Sequence, residues 1–226
     1  MSKNILFVLL FVVLVMLLIP PPLSLYALEG TITYYAGEVW VERRGRTLQG
    51  EIGMPVLAGD RVHTGSDTTA IITLENNADI KLRADTVLDM EILSDDVKVR
   101  LVSGGIFSKV KRKLIKSYSV EIETVLAGVR GTEFFVAYGR KVEETPDIWL
   151  CVNEGSVEVS VESTIESVIV REGEGINIVA GNRLTKAKKY PWTRDLNWNT
   201  EPGEGSVEDN TDLGTAYSDL LDQDYD

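Results

Sequence analysis

From Thr31 to about Ala180 the chain alternates. Thr31-Ile-Thr-Tyr-Tyr, Glu38-Val-Trp-Val-Glu, Thr69-Ala-Ile-Ile-Thr-Leu, Asp79-Ile-Lys-Leu and Val97-Lys-Val-Arg-Leu switch between polar and apolar residues, or nearly so. Ser119-Val-Glu-Ile-Glu, Ser156-Val-Glu-Val-Ser-Val and Gly175-Ile-Asn-Ile-Val do the same. A period of two sends apolar side chains to one face and polar ones to the other, as a half-buried strand requires. No stretch in this region carries the 3.6-residue period of a helix. Glycines punctuate the runs, among them Gly37, Gly59, Gly104, Gly105, Gly155 and Gly173, where turns need a backbone that tolerates positive φ. The expected fold is all-β, a single domain of many short strands arranged as a sandwich, barrel or solenoid. A weak internal repeat places glycine ahead of a strand in Ala36-Gly-Glu-Val-Trp-Val, Ser103-Gly-Gly-Ile-Phe-Ser, Glu154-Gly-Ser-Val-Glu-Val and Glu172-Gly-Glu-Gly-Ile-Asn-Ile. Its intervals are irregular, so it predicts repeated β-arches or hairpins and not a strict solenoid.

The flanks read differently. Residues 1–27 have the pattern of an export segment: Lys3, an apolar run from Ile5 to Ile19, then Pro20-Pro21-Pro22, where a helix must stop. Two outcomes stay open, a signal peptide cleaved after Ala27 or a retained N-terminal membrane anchor. Either one places the remainder outside the cytoplasm, in the periplasm or at the cell surface. The β domain is expected over residues 28–200, closed by an aromatic segment, 186–200. There Tyr190, Trp192 and Trp198 carry too much apolar surface to stay in solvent and should fold back on the core. Residues 201–226 hold nine acids and no Lys or Arg, which leaves −3 of the formal −12 for everything before them. This stretch is expected to be a disordered acidic tail, with at most one or two transient helical turns from Ala216 to Asp222. A nearly balanced domain lacks the basic footprint that nucleic-acid binding demands.

Catalytic chemistry finds no foothold in the sequence. His63 is the one histidine and Cys151 the one cysteine. Acid–base and metal sites recruit such groups together. His63 is expected to be a half-exposed strand residue and Cys151, in Ile148-Trp-Leu-Cys-Val, a small buried packing residue. No phosphate loop, dinucleotide fingerprint, nucleophile elbow or calcium loop is present, so no cofactor or metal is expected. Two charged features remain. Lys109, Lys111, Arg112, Lys113 and Lys116 form a basic run, read as a solvated hairpin turn or as a contact with an anionic surface. Arg130 lies between Gly128-Val129 and Gly131-Thr132, ahead of an apolar strand. A guanidinium in such a setting has to be paired, with Asp60 as the expected partner and Glu133 or Glu154 as alternatives.

Thr124-Val-Leu-Ala-Gly-Val-Arg-Gly-Thr-Glu-Phe-Phe-Val, followed by Val152-Asn-Glu-Gly-Ser-Val-Glu-Val, resembles the FecR family. So does the earlier Gly53-Met-Pro-Val-Leu-Ala-Gly-Asp-Arg-Val-His-Thr-Gly. The resemblance runs from about Thr31 to Ala180 and implies an extracytoplasmic β domain without enzymatic activity. It singles out Asp60, Arg130, Gly131, Thr132 and Gly155, in a structural or a recognition role. Regulators of that family carry a cytoplasmic sigma-factor-binding region before their membrane segment. Only Met1 to Asn4 precede the apolar run here, so that mode of action is not expected. What remains is a protein-interaction or sensing module of a bacterial envelope. The alternative is a structural or adhesive protein that binds peptidoglycan or surface polysaccharide. Its partner is therefore an envelope protein or a glycan, with membrane contact only through residues 5–19 where that segment is not cleaved.

Overall fold

A computed structural model of the chain describes residues 30–75, 78–92, 96–111, 117–129, 131–142, 145–162 and 164–222. The expected export segment 1–27, Arg130, and Arg112, Lys113 and Lys116 of the basic run lie outside these residues. The described part is a sandwich of a ten-stranded and a nine-stranded sheet.

The path between the sheets explains the repeat. The chain starts in the ten-stranded sheet with β1 (Gly30–Ala36) and crosses for the hairpin β2 (Val39–Arg43) and β3 (Arg46–Gln49). It touches the first sheet at β4 (Pro55–Val56), returns for β5 (Arg61–Thr64), and comes back with the hairpin β6 (Thr69–Leu74) and β7 (Ala78–Leu82). Next come β8 (Val87–Ile92) and β9 (Asp96–Ser103) in the nine-stranded sheet, then β10 (Gly105–Val110) in the other. β11 (Ser117–Ile122) and β12 (Val125–Val129) extend the nine-stranded sheet, β13 (Glu133–Val142) and β14 (Thr145–Glu154) the ten-stranded one. β15 (Ser156–Val161) and β16 (Ser167–Arg171) complete the former. β17 (Glu174–Val179), β18 (Arg183–Leu184) and β19 (Lys188–Lys189) complete the latter. All described pairings are antiparallel except β9 with β11. Of the expected sandwich, barrel or solenoid the structure is the sandwich, and later strands are laid down beside earlier ones in the same sheet.

Alternation fills the space between the sheets. Ile32, Ile72, Ile80, Ile106, Phe134 and Leu150 of one sheet meet Val41, Val62, Leu88, Val99, Val120 and Val159 of the other in one continuous buried cluster. Burying each such side chain contributes about 1.5–3 kcal/mol.

Three of the four glycine repeats mark places where two opposite crossings touch. Gly37 (φ 101°), Gly104 (φ 81°) and Gly155 (φ 84°) each lead the chain from one sheet to the other. Against them lie Thr68, Thr86 and Thr132, all buried, each one residue before a strand that begins after a crossing. A Cβ on Gly37 would stand 2.3 Å from Thr68 Oγ1, and one on Gly104 2.4 Å from Thr86 Oγ1. On Gly155 it would stand 2.9 Å from the Gly131 carbonyl oxygen and 3.1 Å from Thr132 Oγ1. Each hydroxyl bonds to the residue after the glycine. The Glu38 N–H donates to Thr68 Oγ1 at 2.9 Å and the Gly105 N–H to Thr86 Oγ1 at 3.1 Å. Thr132 Oγ1 donates to the Ser156 carbonyl at 2.9 Å. The fourth repeat differs, since a Cβ on Gly173 would meet nothing within 4 Å.

These contacts predict that Thr86→Val, similar in shape but without the hydroxyl, leaves a buried N–H unpaired and costs about 1–3 kcal/mol in urea denaturation. Gly104→Ala should cost more than Gly45→Ala. Both sites have positive φ, but Gly45 has open space beside it and Gly104 does not.

Candidate interaction surface

The motif residues fall into two groups. Gly131 (φ 67°), Thr132 and Gly155 come together at the crossing just described, where β12 gives way to β13 beside the β14–β15 turn. Asp60 is elsewhere, in the turn between β4 and β5. Its buried carboxylate accepts from Arg43 Nε at 2.8 Å, Arg43 NH2 at 2.6 Å and the Leu57 N–H at 2.8 Å. The guanidinium described on Asp60 is that of Arg43, and Arg130, its expected partner, lies outside the described residues. β2 lies next to β5, whereas β12 is four strands further along the sheet, roughly 19 Å at the usual strand spacing. Of the alternatives, Glu133 accepts from Asn153 Nδ2 and lies 4.0 Å from Lys109 Nζ. Glu154 is exposed.

The outer face of the ten-stranded sheet is covered. One cross-strand row on it runs Tyr34, Ile71, Lys81, Phe107, Phe135, Cys151. Residues 190–222 lie over this row and form a second buried cluster with it, bringing Tyr190, Leu196, Ala216, Tyr217 and Leu220 against Phe107, Phe135 and Trp149. Tyr190 and Trp198 behave as expected, with Trp198 edge-on to Phe107 at 5.2 Å. The tail expectation is corrected. Val207 is buried, and α1 (Leu213–Asp222) is a seated helix. The apolar residues Leu213, Ala216, Tyr217, Leu220 and Leu221 recur at helical spacing, enough to hold an otherwise acidic segment. Asp212 caps α1, accepting from the Gly214 N–H at 3.0 Å and Thr215 Oγ1 at 2.7 Å.

Polar side chains on the sheet bind the backbone of this cover. Lys81 is 1% exposed, donates to the carbonyls of Asn197 (2.5 Å) and Asn199 (2.9 Å), and stands 4.3 Å over the Phe107 ring. Burial pushes its pKa down to about 8, with Asp209 and Glu133 opposing the change. Arg83 NH2 donates to the Thr211 carbonyl at 2.9 Å. Tyr217 lies against Gly139, where a Cβ would meet its ring at 2.7 Å. Its hydroxyl donates to the buried Asp147 and lies 3.0 Å from Asn177 Oδ1. Burial raises the Tyr217 pKa, and Asp147 raises it further.

Among the described residues no segment covers the outer face of the nine-stranded sheet, and the side chains there are mostly charged and ion-paired. A single row of opposite neighbours reads Glu42, Arg61, Asp89, Arg100, Glu121 across β2, β5, β8, β9 and β11. Arg61 grips Asp89 with Nε at 2.5 Å and NH2 at 2.9 Å, and Arg100 Nε donates to Glu121 at 2.8 Å. Lys98 bridges Glu121 and Glu91, and Arg100 also reaches Glu91. For Glu121, burial works to raise the pKa, but Lys98 and Arg100 outweigh it and the net shift is downward. Beside this row Trp40 stacks on His63 at 5.7 Å. His63 is a strand residue as the sequence implied, but its side chain is only 18% exposed. The row ends in an open cleft of about 650 Å³ bordered by Glu42, Arg44, Arg61, Asp89 and Glu91.

The remaining expectations divide. Cys151 is buried in β14, and burial raises its pKa. Lys109 is half-buried in β10 near Glu133, inside the sheet and not in a solvated turn, and Lys111 is exposed. Sequence reasoning missed Lys81, Asp147 and Gly139. Lys81 alternates outward like any solvent-facing lysine, and its cover comes from more than 100 residues away.

Comparison with known proteins gives a match of residues 60–158 to the FecR protein family. No curated protein matches the chain. Two crystal structures, at 1.65 and 2.50 Å, of a candidate anti-sigma factor from Parabacteroides distasonis ATCC 8503 are similar at 22% identity and a TM-score of 0.48. The similarity covers 57% of this chain and 59% of that one, so the chain spans about three fifths of the length of the protein it resembles.

Two outcomes follow from the cover. Deleting residues 203–226 should cost roughly 3 kcal/mol or more in chemical denaturation, because Val207, Ala216, Tyr217 and Leu220 leave the core. Lys81 should also contribute a rise in stability with pH between about 8 and 10, because there the unfolded chain holds the proton that the folded chain has released, with Cys151 and Tyr217 opposing it toward the upper end of that range. Lys81→Met should flatten that rise, which denaturation of both proteins across this range measures.

Proposed function

With residues 60–158 a FecR-family segment, we propose that this chain is a non-catalytic regulatory or sensing module that recognises a partner protein through the outer face of its nine-stranded sheet. One observation carries the reading. Of the two broad outer faces, one is occupied by the chain's own residues 190–222, and the other displays the fixed row from Glu42 to Glu121.

Exposed ion pairs contribute little to stability, typically 0–1 kcal/mol each. A row of them held in register gives specificity more than affinity, because a mismatched partner meets like charge. The residues that catalysis would recruit are spent on structure: Cys151 in the core and His63 in a stack with Trp40. Tyr190 and Trp198, on which a glycan-binding reading would draw, are packed into the cover, which favours a protein partner. An extracytoplasmic setting is part of the proposal and rests on the export pattern of residues 1–27. Among the described residues no helix is long and apolar enough to cross a membrane.

The test is a charge exchange. Arg61→Asp with Asp89→Arg keeps the cross-strand pair and inverts the pattern that a partner meets. A photo-reactive residue at Ser119, on the same face, should capture one envelope protein in cells carrying the parent protein. The exchanged variant should lose that adduct while staying folded and unfolding at only a slightly lower temperature, because positions 61 and 89 then face like charges in Glu42 and Arg100. An adduct that survives the exchange would remove this face as the recognition site.

A further inference from the structure

The two ends of the sandwich are finished differently in the two sheets. In the ten-stranded sheet the terminal strands are two residues long: β4 is Pro55–Val56, while β18 is Arg183–Leu184 and β19 is Lys188–Lys189. Short strands, proline and lysine are the usual means of keeping an edge from pairing. The nine-stranded sheet ends in longer strands, β3 at one end and β16 at the other.

Hydrogen-bond phase fixes what those edges offer. The Gly50 N–H bonds the Val39 carbonyl, so within β3 the main-chain groups of Thr47 and Gln49 point away from β2. The Glu172 N–H bonds the Gly155 carbonyl, so in β16 those of Ser167, Ile169 and Arg171 point away from β15. The Arg171 N–H is taken by the Glu174 carboxylate at 2.8 Å. Ile169 sits at the middle of the free edge with its side chain 49% exposed.

The edges also match each other. Seven antiparallel pairings and one parallel pairing separate β3 from β16, so the two strands run in opposite directions. A second molecule moved along the sheet without being turned over would therefore meet β16 with an antiparallel β3. Setting Gln49 opposite Ile169 aligns the outward main-chain groups. It places Leu48 beside Val170 on the core side and brings Arg46 opposite Glu172. The charges fit as well: Arg44 and Arg46 are exposed at the β3 end, and Glu158, Glu162, Glu166 and Glu172 are exposed around β16. Pairing β16 with a second β16 would instead bring those acids together.

We propose that copies of this chain associate head to tail, β3 of one adding to β16 of the next, so that the nine-stranded sheet and its charged face continue from molecule to molecule. Such a contact is heterologous and does not close on itself unless a rotation returns it to its start.

The test uses full-length chains in cells, Gln49→Cys in one tagged copy and Ile169→Cys in another, with a short bismaleimide. Cys151 is buried and stays silent. The expected result is a mixed dimer when both variants are present, no dimer from either alone, and a ladder when one chain carries both cysteines. Arg46→Glu, which sets like charges against each other, should weaken the ladder by about tenfold or more with strand content unchanged by circular dichroism. A dimer from Ile169→Cys alone would show that β16 pairs with itself, and absence of the mixed dimer would show that the edges do not meet. Either result overturns the proposal, and neither bears on partner capture through Ser119.

Discussion

A chain that passes back and forth between two sheets needs its crossings to stay put, and here they hold one another. At three places along the sandwich a glycine with positive φ carries the chain one way while a buried threonine carries it back. The hydroxyl of that threonine bonds the backbone that follows the glycine. Neither partner is replaceable by a simple change of size. A Cβ on the glycine has no room, and a methyl in place of the hydroxyl removes a bond to the backbone, which at Thr86 leaves a buried N–H without its partner. Register follows from these contacts, because a slip of one residue would turn every alternating strand inside out.

The same rigidity lets the ten-stranded sheet be buried on both sides. From Ile148 to Val152 five consecutive residues are buried, the mark of a strand with a layer above and a layer below. The upper layer is the last part of the chain. Its seating on Lys81 is unusual, since an ammonium loses its hydration and gains two carbonyls and an aromatic face in return, with no carboxylate of the described residues in direct contact. That exchange costs more than a hydrocarbon would in the same place. It also fixes where the cover's backbone must lie, because the two carbonyls have to converge on one nitrogen.

Much of this was legible in the sequence. All eight alternating runs form strands, and the glycine repeat marked real crossings although its spacing hid how they pair. The aromatic segment after Lys189 returned to the core as large apolar rings must. The failures share a cause. Asp60 finds Arg43 because strand order decides which turns become neighbours, and period-two alternation carries no information about that. The acidic tail was judged by its charge, which outweighed a helical spacing of five apolar residues from Leu213 to Leu221. The unbroken apolar runs Phe134–Ala137 and Ile148–Val152 were a signal that something covers that face. Alternation shows that a strand has two sides, and only the exceptions to it show that both are dry.

Strand order here follows chain order from one end of the molecule to the other, with β1 to β6 forming a start on which each later pair is laid. A growing chain can therefore be completed as it emerges, since no early strand waits for a distant partner. The cover is the exception. Until Tyr217 reaches Gly139 and Asp147, the face bearing Phe107, Phe135 and Trp149 is open, so a molecule interrupted before its final turn of helix exposes a greasy, half-finished side. Loss of that cover is thereby written on the surface, where proteases and chaperones read hydrophobic patches.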